Sequence, residues 1–330
     1  MSKVFEALQR LERESGKVLP GVLPAAQEVF KNGGDSQATA PVMEPEPEPE
    51  PEVRPIAVLT HTDSTRANGN GNGASAERAE PAFRISNIRG ENVTLTPESR
   101  LVYHLEPDSP GADRFRLLRM RLWPLWEASK LKTLLVTSAL AQDGKSTVVM
   151  NLATALAEQG QRSVLVVEGD LCHPSLSPRL GLSNRAGLSE CLEGGQNPLS
   201  LIRRMDPLGW YLLSAGDAQG NPTELLQSPL LANIFETLRS YFDWIIIDTP
   251  PAMPLTDTLS LRQYADSGLL VVRADKTPKE AVEAVIARIG TQNLLGIVLS
   301  ASEEIDRLYS DYRKSYGPGG KAKLKAKTQG

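Results

Sequence analysis

Residues 133–160 read TLLVTSALAQDGKSTVVMNLATALAEQG: an apolar run, a short polar loop ending in Gly144-Lys145-Ser146-Thr147, then a stretch with helical periodicity. The apolar run predicts a buried strand and the periodic stretch a helix, so the loop between them sits at a helix start. Backbone N–H groups there cradle phosphate, a lysine neutralises it, and a neighbouring hydroxyl can hold Mg²⁺. Asp143, Gly144, Lys145, Ser146 and Thr147 are therefore the expected phosphate-binding set. A bland alternative is an N-capped helix that happens to expose a lysine.

Outward from this loop, apolar runs predict further strands at 163–167, 210–213, 244–247, 268–272 and 295–299. Helical patterns fall at 113–126, 146–159, 230–241 and 279–289, with Pro124 expected to weaken the last turn of the first. The runs are continuous and not alternating, the pattern of strands covered on both faces. Strand and helix in alternation predict an α/β fold, a doubly wound, mostly parallel sheet flanked by helices. Ligands in such sheets lie at the carboxyl ends of the strands. The second and fourth predicted strands end in acids there: Glu168 and Asp170 after one, Asp248 after the other. An acid closing the run Trp244-Ile-Ile-Ile is expensive to bury unless it serves a metal, so Asp248 is read as a Mg²⁺ ligand. Glu168 and Asp170 have three open readings: metal ligand, proton acceptor, or cap of the following turn.

The 330 residues are unevenly composed. Residues 1–15 carry Val4, Phe5, Leu8 and Leu11 at helical spacing and predict a short amphipathic helix, for docking on a partner or on the chain itself. Residues 16–91, with EPEPEPEPEVRP and NGNGNGAS, lack the apolar side chains to offset ordering entropy and are expected to form a disordered linker. Residues 92–305 are expected to make one domain, and 306–330 a mobile basic tail. A net charge of -4 speaks against a nucleic-acid surface. Cys172 and Cys191 make no disulfide framework, and no apolar run is long enough to span a bilayer, so a cytoplasmic location is expected. Cys172-His173 lacks the spaced partners of a zinc site and is read as packed or solvated.

Taken together, SALAQDGKST (138–147), VLVVEGDLCHP (164–174), GLSECLEGG (187–195), TELLQSP (223–229), WIIIDTPP (244–251) and YSDYRKSY (309–316) resemble the bacterial tyrosine autokinases of polysaccharide export. The resemblance implies ATP and Mg²⁺ as cofactors, with Lys145, Glu168, Asp170 and Asp248 as the catalytic set and Ser146, Asp170 and Asp248 around the metal. It implies Tyr309, Tyr312 and Tyr316 as phosphoacceptors, against a bland reading as a packed aromatic stripe. Asp113-x-x-Arg116-x-x-Arg119 is similar to the family's oligomerisation motif, which implies a homo-oligomer; a solvated basic face is the alternative. A separate membrane-spanning co-polymerase as activator, recruitment to the inner face of the membrane, and an opposing tyrosine phosphatase are implied as well. Departures from the family pattern are Glu168 for Asp, Cys172-His173 for arginines, Ala141-Gln142 for Pro-Gly, Ala139 for the first loop glycine and Asp113 for Glu. Two other functions compete: an ATPase switch like the partitioning and septum-positioning proteins, which usually carry a lysine where Leu140 stands, and a nucleotide-binding scaffold with little or no kinase activity.

Overall fold

A computed structural model describes residues 83–301, apart from 129, 159, 183, 184 and 254–256. The expected N-terminal helix, residues 16–82 of the expected linker and the tyrosine cluster lie outside the described residues. The ordered elements form one sheet of eight strands: β1 (Gly90–Asn92), β2 (Thr133–Ser138), β3 (Val164–Glu168), β4 (Arg203–Asp206), β5 (Trp210–Leu213), β6 (Trp244–Asp248), β7 (Ser267–Arg273) and β8 (Leu294–Ser300). Their spatial order is β1-β4-β5-β3-β6-β2-β7-β8, and every pair is parallel except β4 with β5. The longer helices are α1 (Pro110–Glu127), α2 (Lys145–Ala157), α4 (Leu230–Tyr241) and α6 (Lys279–Ile289); α3 (Leu188–Gly194) and α5 (Asp257–Arg262) are shorter.

Every residue of β2, β3 and β6 is buried, which is why these strands read as unbroken apolar runs. The helix α2 is buried on nearly all sides, because it lies between the sheet and α1. Helix α1 continues through Pro124 to Glu127, past the point where the proline was expected to weaken it. Tertiary packing decides this: Trp126 stacks on Trp244 at 6.4 Å, donates its indole N–H to the Asp243 carbonyl at 3.0 Å, and carries the Arg162 guanidinium 4.1 Å above its ring.

The ordered part begins ahead of the expected boundary at 92. Ile88 is buried and β1 pairs with β4, with Gly90 opposite Arg204 and Asn92 opposite Asp206. Both strands are short, and apart from the buried Met205 of β4 they are polar, so backbone pairing holds β1 at the sheet edge and leaves no apolar pattern to read.

Gly187 marks a place where close approach of the backbone requires a glycine. Its neighbours Leu188 and Ser189 donate backbone N–H groups to Ser214 and Ala215 at 2.8 and 2.9 Å, and a Cβ on Gly187 would drive into the Ser214 carbonyl. Gly187→Ala is expected to destabilise the domain by about 3 kcal/mol or more, read as a lower denaturant midpoint; an unchanged midpoint would show that this contact relaxes freely.

Candidate functional site

The loop after β2 is shaped by its own backbone. Gly144 sits at φ 99° as the residue before α2, and Gln142 at φ 66°, a left-handed conformation that costs a non-glycine residue roughly 1 kcal/mol. Thus the fold keeps the conformation a glycine would supply even though glutamine stands there. Several hydrogen bonds brace the loop. Asp143 accepts hydrogen bonds from the Leu140 N–H at 2.9 Å and the Thr277 hydroxyl at 2.8 Å, and Ser300 at the end of β8 donates to the Asp143 carbonyl at 2.6 Å. Arg273 at the end of β7 reaches the Gln142 carbonyl at 3.2 Å.

Behind the loop the acids converge, because β3 and β6 are adjacent and Glu168 is in register with Asp248. Lys145 lies 3.6 Å from Asp170, whose other oxygen accepts the His173 N–H at 3.0 Å. Asp248 is fully buried, and neither of its carboxylate oxygens has a hydrogen-bond partner. Burial pushes its pKa up to about 7; Lys145 and the Ser146 hydroxyl pull the other way from nearby, the latter without normal hydrogen-bond geometry, while Glu168 and Asp170 add to the rise. An orphaned, buried carboxylate close to a hydroxyl is an oxygen donor pair that fits Mg²⁺, and the lysine beside it suits the phosphates such an ion accompanies.

Glu168 is different. Its carboxylate accepts from Leu176 N–H at 2.6 Å, Ser177 N–H at 3.3 Å, the Ser177 hydroxyl at 2.7 Å and Ala215 N–H at 3.2 Å. Of its three open readings the geometry matches the cap: Glu168 closes the helical turn Leu176–Arg179 and has no oxygen left over for a metal.

Residues 175–179 then rest on α2. Ser175 donates its hydroxyl to that of Ser146 at 2.7 Å, and Arg179 donates to the Thr147 hydroxyl at 2.9 Å. The Arg179 pKa is held below its usual value, first by burial and then by nearby Arg100. Arg179, Ser175 and Asp257 were not singled out in the sequence. Asp257 opens α5 with its Oδ1 buried and unpartnered, and its charge reaches the exposed Cys172, whose thiol is shifted up by burial first and then by Asp257 and Asp170. Cys172 and His173 are both solvated, in line with the bland reading of that pair.

The suggested interface helix is partly occupied from within. Arg116 pairs with Asp113 at 2.8 Å. Arg119 donates to the Ala155 carbonyl at 2.8 Å and pairs with Glu158, which also accepts the Tyr103 hydroxyl at 2.5 Å. Burial and that Glu158 bond raise the Tyr103 pKa to about 12. Arg119 thus fastens α1 to α2, and the exposed large apolar side chains on α1 are Leu117 and Met120.

A family model described as ParA, NUBPL iron-transfer P-loop NTPase, matches residues 130–298, more than half of the chain. The chain is also 31% identical over 227 residues to the putative tyrosine-protein kinase CapB of Staphylococcus aureus, across 68% of this chain and 96% of that one. The chain belongs to the bacterial P-loop tyrosine-protein kinases. Membership makes it a transferase, and the iron transfer of the family description is said of NUBPL alone. A second relative of similar sequence is the succinoglycan biosynthesis transport protein ExoP of Rhizobium meliloti (strain 1021), 30% identical over 224 residues. That match covers 64% of this kinase chain and only 28% of the length of ExoP. The fold of this kinase is that of the kinase domain of Escherichia coli tyrosine kinase ETK, with a TM-score of 0.58 at 24% identity over 67% of this chain and 87% of that one.

Proposed function

We propose that this chain is an ATP-dependent protein-tyrosine autokinase that phosphorylates Tyr309, Tyr312 and Tyr316, on its own or a neighbouring copy, in the service of polysaccharide polymerisation or export. The observation that carries the reading is the unpartnered, buried Asp248 beside Lys145, Ser146 and Asp170. Ser146 and Asp248, with Asp170 near them, are the residues that would hold Mg²⁺, and the ion would supply charge neutralisation for the phosphates. Lys145 and the N–H groups of the loop hold the triphosphate. Asp170 Oδ2 takes the phenol proton as the tyrosine oxygen bonds to the γ-phosphorus and the bond to the departing ADP oxygen breaks. Glu168 positions the turn Leu176–Arg179. Supporting access by the tail, β8 brings the chain to Ser300 at the loop itself, and the residues from there to Tyr309 span up to roughly 30 Å when extended.

A homo-oligomer formed through the α1 face, a membrane-spanning co-polymerase as a separate chain, recruitment to the inner face of the membrane and a phosphatase that resets the tyrosines complete the proposal. No helix among the described residues is long and apolar enough to cross a membrane. The test is a variant with Tyr309, Tyr312 and Tyr316 all changed to Phe, incubated with Mg-ATP. Phosphotyrosine is expected to fall at least tenfold while nucleotide affinity stays within twofold of wild type. Undiminished phosphotyrosine would place the acceptor elsewhere and remove the tail from the account.

A further inference from the structure

From Asp170 to Pro178 the chain carries no lysine or arginine, and the first cation after the second acidic motif is Arg179. It is not left on the surface. The turn that carries it is fixed at its start by Glu168, through the Leu176 and Ser177 N–H groups, and at its end by Arg179 itself, whose Nη1 donates to Thr147 Oγ1 at 2.9 Å. Thr147 lies in the first turn of α2, two residues beyond Lys145. The half-buried guanidinium is within electrostatic reach of Arg100, which disfavours its charge, and of Asp248, which favours it. Arg100 sits over the next turn of α2, where its carbonyl accepts from Asn151 at 2.8 Å. Two arginine charges thus act near a helix start that already carries positive potential; Asp248 offsets part of that repulsion, and a bound polyphosphate would offset more.

We propose that Arg179 is a contact for the polyphosphate of bound nucleotide, held ready by Thr147 and by the Glu168 cap. Arginine presents five N–H donors in a planar fork, and among the described residues the only hydrogen bond Arg179 makes takes one of them. The remainder suit phosphate oxygens of ATP or ADP in the bidentate manner of guanidinium. The inference rests on the nucleotide reading of the loop, and the experiment separates the two.

The probe is ADP bearing a methylanthraniloyl fluorophore, titrated with Mg²⁺ into the full chain, with unlabelled ATP as competitor, in low and high salt. Failure of wild type to bind would sink the loop reading itself. With wild type binding, Arg179→Ala is expected to weaken both nucleotides roughly 10- to 100-fold at low salt, and the gap should narrow as salt screens the lost charge contact. Arg179→Gln keeps a donor for Thr147 Oγ1 without the charge; it guards against a folding defect and should show the same loss with a melting temperature near that of wild type. Affinities within twofold of wild type in both variants would overturn the proposal. So would a loss confined to Arg179→Ala, or one of equal size at all salt concentrations, since either describes a structural tether and not a phosphate contact.

Discussion

Asp248→Asn is expected to make the nucleotide-free domain more stable while removing its function. The sign follows from burial. An acid whose folded pKa stands near 7, against 3.8 as its ordinary value, binds protons more tightly folded than unfolded between those two pH values. Stability therefore falls as pH rises through that window, and the penalty is complete above about pH 7. The shift corresponds to roughly 4 kcal/mol at most, and an asparagine, itself polar and unpartnered there, recovers about half of it. In chelator at pH 8 the variant should melt about 4 to 8 °C higher than wild type. The difference should shrink towards pH 4, where the folded aspartate is protonated and the unfolded one about half so, and vanish below that. The same variant loses the buried anion proposed to hold Mg²⁺, so its Mg-dependent affinity for ATP should fall at least tenfold. A variant no more stable than wild type at pH 8 would mean that Asp248 is satisfied by a partner in solution.

Lys145→Met carries the second large effect. The methionine keeps the aliphatic stem and removes the ammonium that lies 3.6 Å from Asp170 and faces the phosphate loop. Removing one preorganised group that meets developing charge costs on the order of 10²- to 10³-fold in rate. Phosphotyrosine formation, followed by radiolabel from the γ-phosphate, should fall by that factor. A loss below tenfold would show that the loop binds nucleotide without placing its lysine on the transferring group, as a scaffold would.

The parts of the molecule legible in the sequence are those where local pattern and burial coincide. Strands β2, β3 and β6 are buried at every position, so their apolar runs announced them, and Asp248 stood out because it ends such a run. The loop Gly144-Lys145-Ser146-Thr147 was legible for the same reason, being fixed between a strand and a helix of unmistakable period. By contrast β1, at the sheet edge, and its neighbour β4 are short and mostly polar, and β1 is made by backbone pairing between Gly90–Asn92 and residues more than a hundred positions away. The turn Leu176–Arg179 is also long-range in origin: a carboxylate at the end of β3 closes it, and only that closure brings Arg179 to Thr147. The roles of Glu168 and Asp170 could not be divided from spacing alone. What separates them is occupancy, since Glu168 accepts four hydrogen bonds from within the chain while Asp170 accepts one and faces Lys145.

The most direct test of the account is phosphosite mapping by mass spectrometry on the full chain incubated with Mg-ATP, with and without a candidate membrane-protein cytoplasmic segment, beside Lys145→Met. The account predicts phosphate on one or more of Tyr309, Tyr312 and Tyr316 in wild type and its loss in the variant. ATP turnover that leaves every tyrosine unmodified, or tyrosine phosphorylation that persists undiminished without Lys145, would contradict it.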